Sequence, residues 1–188
     1  AANVQTVFNN DANDYAAFNA LEDGTIELAL NDGGNTSADF DTVYITSYDV
    51  AVVDGVKASS SRVDMKTYTN GLRTIKYNEE NGDVKATLVD ENDADMDWAE
   101  LEENTVLSVK YVKTKAKTIY DAKIINNVVT GTVTEYEVSG SDTYVVINDT
   151  EYKVLACAEA DGKIKVGDEG TYYIGTTGIV YFDATITR

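Results

Sequence analysis

The strongest structural signal in this chain is a repeated alternation of apolar and polar residues over short runs. In the run TIELALND, Ile26, Leu28 and Leu30 share one face, whereas Glu27 and Ala29 lie on the other. A period of two residues is typical of a β-strand that buries one face. About a dozen such runs follow one another, and the chain contains no proline. The pattern therefore predicts an all-β protein.

Asn-Gly pairs between the runs predict how some of these strands are connected. Asn70-Gly71 and Asn81-Gly82 separate three successive runs in the chain. Such pairs favour the two-residue type I′ turns that join antiparallel strands, because both residues adopt a positive φ there. We therefore expect a three-stranded meander over residues 62–89.

The last third of the chain predicts a second, smaller unit. Residues 128–188 hold about five short runs separated by turn residues such as Asn148 and Asp149. Strands this short bury a core only when they cover one another, which favours a closed or nearly closed five-stranded barrel, similar to OB or SH3 barrels. The predicted organisation is an N-terminal β-sandwich or meander domain over residues 1–127, followed by this barrel.

One or two short helices interrupt the strand pattern. Asp97 followed three residues later by Glu100 is typical of a capping box, and Trp98 lies one helical turn before Leu101. We expect a two-turn helix here that covers a sheet edge, with Trp98 as a plug of the core. A second short helix is predicted in residues 13–24, where apolar side chains share a helical stripe.

The absence of histidine excludes many classes of enzyme. A chain without histidine cannot build a Ser-His-Asp or Cys-His arrangement, or a histidine-rich metal site. The single cysteine, Cys157, cannot form an internal disulfide, and we interpret it as a small buried apolar residue. A pair of carboxylates, as in glycosidases, remains a catalytic option. Because 33 acidic residues are present, no particular pair can be named from the sequence.

The charge of the chain constrains its partners. It carries 33 acidic and 15 basic residues, for a net charge of -18. Such a field repels phosphate backbones and anionic lipid surfaces, so neither nucleic acid nor a membrane is an expected partner. No run approaches the roughly 18 consecutive apolar residues of a transmembrane helix, so membrane insertion is not expected.

One acidic loop is a candidate metal site. In the stretch NDGGNTSADFDTVYI, four side chains offer hard oxygen ligands within a glycine-bearing turn: Asp32, Asn35, Asp39 and Asp41. Oxygen ligands of this kind are those that calcium prefers. Acidic residues and glycines also make ordinary polar turns, so the alternative is a connection between two strands. We predict no other cofactor.

The thirteen tyrosines allow two interpretations. Strand tyrosines are usually half-buried packing residues with a hydrated hydroxyl group, but a flat exposed row stacks on sugar rings in carbohydrate-binding modules. The strand tyrosines considered for such a row are Tyr44, Tyr48, Tyr144, Tyr152, Tyr172 and Tyr173. Packing is the favoured interpretation, and glycan binding is the alternative.

Several segments together resemble a known family. They are TIELALNDGGNTSADFDTVYITSYDVAVVDGV, ELEENTVLSVKYVKTK, VVTGTVTEYEV with YVVINDTEYKV, and IKVGDEGTYYIGTTGIVYF. In order and spacing they resemble the β-rich modules that accompany S-layer homology domains in surface proteins of clostridia and related Gram-positive anaerobes. The chain departs from the family's aspartate-rich turn, because Gly34 and Thr36 stand where further aspartates are expected.

The resemblance implies an extracellular protein of the cell surface or cell wall, in a structural or adhesive role. It implies anchoring through wall-binding domains elsewhere in the same protein, and it brings no catalytic residues. Expected partners are those other domains, neighbouring copies, and wall or host glycans. The leading prediction is therefore a non-enzymatic module of an S-layer-type envelope protein, with a carbohydrate-binding module and a carboxylate-dependent glycosidase as alternatives.

Overall fold

The computed structural model describes the backbone of residues 5–8, 11–12, 25–31, 42–78, 82–113 and 118–185, and side chains within 48–78, 82–111 and 118–184. In these residues the fold is all-β, as predicted, and the remaining regular structure is three short 3-10 turns. The strands are β1 (Gln5–Phe8), β2 (Asp11–Ala12), β3 (Thr25–Asn31), β4 (Thr42–Lys57), β5 (Arg62–Tyr68), β6 (Thr74–Lys76), β7 (Val84–Val89), β8 (Val106–Lys113), β9 (Thr118–Ile125), β10 (Val128–Ser139), β11 (Asp142–Ile147), β12 (Thr150–Val154), β13 (Glu169–Ile174) and β14 (Ile179–Thr185).

The long strand β4 organises the N-terminal sheet. Its first half pairs with β1 and β3, and its second half pairs with β5 on one side and β8 on the other. The described order is β2-β1-β4-β8-β9-β7, with β3, β5 and β6 joined off this path. The ladder between β4 and β5 changes register at Val52 and Val53, and again before Gly55, as expected of β-bulges that bend a strand.

The N-terminal core lies on one face of this sheet. Trp98 is 6% exposed and belongs to this core, as predicted for a plug. Its ring stacks on Tyr77 at 5.9 Å, and its indole N–H donates to the carbonyl oxygen of Ala86. The other buried members are Ala51, Val53, Val63, Met65, Leu72, Ile75, Leu88, Leu101, Leu107, Val109, Tyr120 and Ala122.

The predicted two-turn helix around Trp98 is shorter than expected. The structure has a single 3-10 turn over Trp98–Glu100. The capping prediction holds at Asp97, whose carboxylate accepts a hydrogen bond from the backbone N–H of Ala99 at 2.9 Å. The chain leaves the turn in extended conformation at Leu101, which is itself buried in the core. The helix predicted in residues 13–24 lies outside the described residues.

The predicted meander over residues 62–89 is wrong in its third strand. β5 and β6 form the expected antiparallel hairpin, but β7 pairs parallel with β9 instead of with β6. β6 is only three residues long, so it offers few backbone groups for pairing. Pairing with β9 instead places Leu88 of β7 beside Ala122 in the core.

The turn at Asn70-Gly71 also differs from a type I′ turn. Only Gly71 of this pair adopts a positive φ, and five residues separate β5 from β6. The amide of Asn70 instead donates a hydrogen bond to the carboxylate of Asp49 at 2.9 Å. This contact is with a residue 21 positions earlier in the chain, so a local turn motif does not contain it.

The C-terminal strands close into a barrel in the order β10-β11-β12-β14-β13, as predicted. β10 pairs with β13 through its first half and with β11 through its second, which is how one long strand closes the structure. Asn148 and Asp149 form a two-residue turn with φ of 51° and 61°, as a type I′ hairpin requires. The barrel core consists of Val133, Val145, Ile147, Val154, Ala158, Ile164, Tyr172, Ile174 and Ile179.

Candidate functional site

The N-terminal sheet and the barrel meet through an apolar contact that is separate from both cores. We call this contact the seam; its buried members are Val50, Val52, Val106, Leu155 and Val180. Each of the five side chains is no more than 2% exposed. Burial this complete at a junction between two sheets stabilises one fixed arrangement of the two units.

The seam arises because β4 is buried on both faces. Ala51 and Val53 face the N-terminal core, while the alternate residues Val50 and Val52 face the barrel. The unbroken run VAVV is the sequence signal of a strand covered on both sides, in contrast to the alternation of TIELAL. Gly175 permits close approach from the barrel, since a Cβ atom there would lie 2.9 Å from Cγ1 of Val50.

A polar cluster borders the seam. The ammonium nitrogen of Lys66, on β5, lies 2.7 Å from Oε1 of Glu103 and 2.6 Å from Oδ1 of Asn104. On the barrel side, the same nitrogen lies 4.9 Å from the ring centroid of Tyr181. The Lys66 side chain is 15% exposed, so its charge is largely removed from water.

The electrostatics of Lys66 follow from these neighbours. Burial lowers its pKa, but the hydrogen bond to Glu103, with the electrostatic contributions of Tyr181, Glu103 and Asp54, outweighs that effect. The net result is a raised pKa, so the protonated form of Lys66 is stabilised at neutral pH. This cluster joins β5, the turn before β8 and the barrel.

An acidic groove of 470 Å³ lies between the sheet and the barrel. Four glutamates line it, namely Glu91, Glu100, Glu102 and Glu103, and its apolar lining consists of Met96, Val106, Ile124, Ile125, Val128 and Tyr173. No group of three or more acidic or cysteine side chains in the described residues is arranged to hold a metal ion. The four glutamates make the groove a region of negative potential.

A second cavity, of 270 Å³, opens at one end of the N-terminal core. It is lined by Asp49, Asn70, Gly71, Leu72, Arg73, Thr74, Tyr111 and Tyr120. The rings of Tyr111 and Tyr120 stack at 5.2 Å, because these residues are direct partners on β8 and β9. Aromatic faces beside a carboxylate, an amide and a guanidinium form a surface that suits a polar ring-shaped ligand.

The carboxyl group of Asp49 has the most altered environment in this cavity. It is 7% exposed, and burial raises its pKa, while the hydrogen bond from Asn70 acts in the opposite direction. Burial likewise raises the pKa of Tyr111. A buried carboxyl group that faces a cavity is a common feature of binding sites.

Among the predicted site residues, the structure describes the side chains of five tyrosines, Tyr48, Tyr144, Tyr152, Tyr172 and Tyr173. The metal candidates Asp32, Asn35, Asp39 and Asp41 lie outside the described residues. Tyr172 cannot belong to an exposed row, because it is fully buried and its hydroxyl donates to the carbonyl oxygen of Asp168 at 2.9 Å. That burial raises the pKa of Tyr172 to about 12, with the charge of Asp168 as a second cause.

The other candidate tyrosines whose side chains are described are partly buried. Tyr173 contacts Tyr181 beside the seam, with ring centroids 5.5 Å apart. Tyr48, Tyr144 and Tyr152 are half-buried. No side chain is described at Tyr44. Within the described part of the chain, these tyrosines do not form one flat exposed platform. Tyr172 and Tyr173 are packing residues, in agreement with the favoured interpretation.

Sequence reasoning missed the two clusters that the structure assembles. Lys66 and Asn104 are 38 residues apart, so no local sequence pattern predicts their contact. Asp49 does have a sequence signal: it occupies a core-facing position two residues before Ala51, directly ahead of the apolar run Val50 to Val53. A charged residue at such a position requires a partner or a cavity.

Comparison of the chain with protein-family models, with curated proteins and with solved structures found no match. Among the described residues, none of the helical segments has the length and apolar character needed to span a membrane.

Proposed function

We propose that this chain is a non-enzymatic structural or adhesive module of a larger cell-envelope protein of the S-layer type, located at the cell surface. The observation that carries the proposal is the seam, in which five fully buried apolar side chains join the sheet to the barrel. A module that transmits force or holds a lattice spacing benefits from such a junction, because the two units then move as one body. The family resemblance of the strand and turn segments supports the same role.

The surface charge is consistent with an envelope module that contacts divalent ions and basic surfaces. A net charge of -18 maintains repulsion between copies until counterions neutralise it, which makes assembly sensitive to ionic conditions. The partners we propose are other domains of the same protein and neighbouring copies. Four glutamates line the acidic groove between the units.

Cell fractionation tests this proposal directly. An antibody raised against the chain is used on intact source cells and on cytoplasmic, membrane and wall fractions. We expect labelling of intact cells and recovery of the full-length product in the wall fraction, from which chaotropic extraction releases it. Labelling only after permeabilisation, with recovery in the cytoplasmic fraction, would contradict the proposal.

Carbohydrate binding is the second candidate, and the Asp49 cavity favours it. The stacked pair Tyr111 and Tyr120 with Asp49 and Asn70 combines aromatic faces with hydrogen-bonding groups, as sugar sites do. Asp49 is the one carboxylate among the described residues that line this cavity, whereas a glycosidase uses two flanking carboxylates. The cavity therefore favours binding of a sugar over its hydrolysis.

A glycan array followed by calorimetry tests this second candidate. Wild-type protein is compared with Asp49→Asn, which keeps the side-chain shape, and with Tyr136→Ala on the exposed barrel surface as a control. Binding that is lost in Asp49→Asn and kept in Tyr136→Ala would support a sugar site at the cavity. An array without binding, or binding that Asp49→Asn leaves unchanged, would contradict it.

A further inference from the structure

Three side chains beside the seam are placed for a covalent reaction that requires no cofactor. The amine nitrogen of Lys66 lies 2.6 Å from the amide oxygen of Asn104 and 2.7 Å from a carboxylate oxygen of Glu103. With a C=O bond of about 1.23 Å, this nitrogen is at most about 3.8 Å from the amide carbon of Asn104. In an amide exchange, a primary amine and a carboxamide are the two reactants, and a neighbouring carboxylate can carry the proton.

We propose that Lys66 and Asn104 form an intramolecular isopeptide bond, with Glu103 as the proton carrier. The proposal concerns the covalent structure of the chain and does not depend on where the protein is located. No disulfide is available to this chain, which has one cysteine, so such a bond would be its internal cross-link.

The reaction balances without an external reagent. Glu103 accepts a proton from the Lys66 ammonium group, and the free amine attacks the amide carbon of Asn104. A new C–N bond forms between the two side chains, and the original bond from that carbon to the amide nitrogen breaks. The departing nitrogen takes up the proton held by Glu103 and a second proton from the attacking nitrogen, so that ammonium is released. Glu103 ends as it began, and it is 64% exposed, which leaves the ammonium ion a path to solvent.

The backbone holds both reactants in place. Asn104 has a φ of 67° and donates its backbone N–H to the carbonyl oxygen of Val53 at 2.8 Å. The N–H of Val53 in turn donates to the carbonyl oxygen of Thr105 at 2.9 Å. Lys66 lies on β5, between two residues that pair with β4. Such fixed positions supply the proximity that makes reactions between side chains favourable.

The barrel covers the reacting amine. Tyr181 places its ring 4.9 Å from the nitrogen of Lys66, and the lysine side chain is largely shielded from water. The bond would connect β5 to the turn before β8 across the central strand β4. It would close a covalent loop between positions 38 apart and so restrict the unfolded chain, as a disulfide does.

The protonation state of Lys66 determines how fast the bond forms. Although burial acts to lower it, the pKa of Lys66 is raised overall, chiefly by Glu103, so most molecules carry the unreactive ammonium form near neutral pH. Transfer of that proton from Lys66 to Glu103 is therefore the slow step of the reaction. We expect bond formation to accelerate as pH rises, because the fraction of free amine increases.

Intact-mass measurement of the full chain tests the proposal. The protein is measured fresh and after prolonged incubation at about pH 9, where a larger fraction of amine is free than at neutral pH. We expect a species about 17 Da below the sequence mass, which corresponds to loss of one ammonia, and its fraction grows with incubation. A mass that stays at the sequence value after this incubation, or rises by about 1 Da through deamidation, overturns the proposal.

A peptide map locates the bond. Trypsin does not cleave after an acylated lysine, so the linked form yields residues 63–73 joined to residues 86–110 as one branched species. A loss of about 17 Da without this branched species would mean that an asparagine has cyclised on its own backbone, for example at Asn70, and would also overturn the proposal.

Matched variants complete the test. Lys66→Arg and Asn104→Ala are expected to show the full sequence mass, and Glu103→Gln to accumulate the linked species more slowly. Lys57→Arg is the control, because Lys57 forms an ion pair with Asp64 instead and should not affect the linkage. Loss of about 17 Da in Lys66→Arg would contradict the assignment of the amine.

Discussion

The thiol of Cys157 lies 3.7 Å from the carbonyl oxygen of Val180, at the edge of the seam. Cys157 packs against the seam residues and is half-buried. The chain has no second cysteine, so chemical modification of this thiol reports on the junction of the two units. Because opening of the seam exposes this thiol, its rate of modification measures whether the sheet and the barrel stay joined.

Removal of a large seam side chain should destabilise the whole chain. Leu155 is 1% exposed between the two units, and Leu155→Ala leaves a cavity there. We expect a loss of about 2–5 kcal/mol in the free energy of unfolding, measured by urea titration. Val138→Ala is the control, because Val138 is 59% exposed, and it should change this free energy by less than about 0.5 kcal/mol. Equal effects of the two variants would contradict burial of Leu155 at the seam.

The barrel should not tolerate a side chain at Gly170. A Cβ atom there would lie 2.2 Å from the carbonyl oxygen of Asp183, within the backbone of the neighbouring strand β14. Gly170→Ala should therefore cost about 1–3 kcal/mol through a forced backbone shift. At Gly55 no heavy atom lies within 4 Å of the added carbon, so Gly55→Ala is the matched control and should be nearly neutral. Thermal unfolding of both variants would check the difference.

The buried carboxyl of Asp49 should give a specific pH dependence. Its pKa in the folded state is raised above 3.8, so the folded protein binds this proton more tightly than the unfolded chain does. Its contribution to stability is therefore most favourable below about pH 4 and is lost as pH rises through the folded-state pKa.

The comparison of wild type with Asp49→Asn isolates this contribution. Other carboxyl groups act in the opposite direction: ion pairs lower the pKa of Asp64, and hydrogen bonds lower that of Asp121. Those effects are common to both proteins and cancel in the difference. We expect Asp49→Asn to gain stability relative to wild type as pH rises from about 4 to neutrality. A difference that does not change with pH would contradict the raised pKa.

The calcium prediction for the loop of Asp32, Asn35, Asp39 and Asp41 is tested by exchange of metal ions. An ion bound only by the folded state raises the melting temperature. If the loop binds calcium, Tm is higher in calcium than in magnesium at equal ionic strength, and Asp39→Ala abolishes this difference. Equal Tm values in the two salts would show that screening of the negative charge accounts for any stabilisation.

The sequence predicted strand positions better than strand partners. Alternation identified β3, and the residues around Asn148 and Asp149 identified the hairpin of β11 and β12, because both signals are local. The parallel pairing of β7 with β9 depends on which distant strand buries Leu88, and no local pattern contains that information. The predicted meander failed for this reason.

The candidate sites were less predictable than the fold. Lys66, Glu103 and Asn104 meet only because β5 and the turn before β8 flank the same strand, β4. The seam had a sequence signal in the run Val50 to Val53, but the run alone does not say that a second unit covers its outer face. Chemistry formed by long-range contacts therefore required the structure.

The most direct test of the two-unit account compares two probes of unfolding in one urea titration. Fluorescence of Trp98, the only tryptophan, reports on the N-terminal core, and modification of Cys157 reports on the seam and the barrel. We predict that the two transitions coincide, because the seam makes the sheet and the barrel one cooperative unit. Exposure of Cys157 at clearly lower urea than the Trp98 transition would contradict this account, since the seam would then open, or the barrel unfold, before the N-terminal core does.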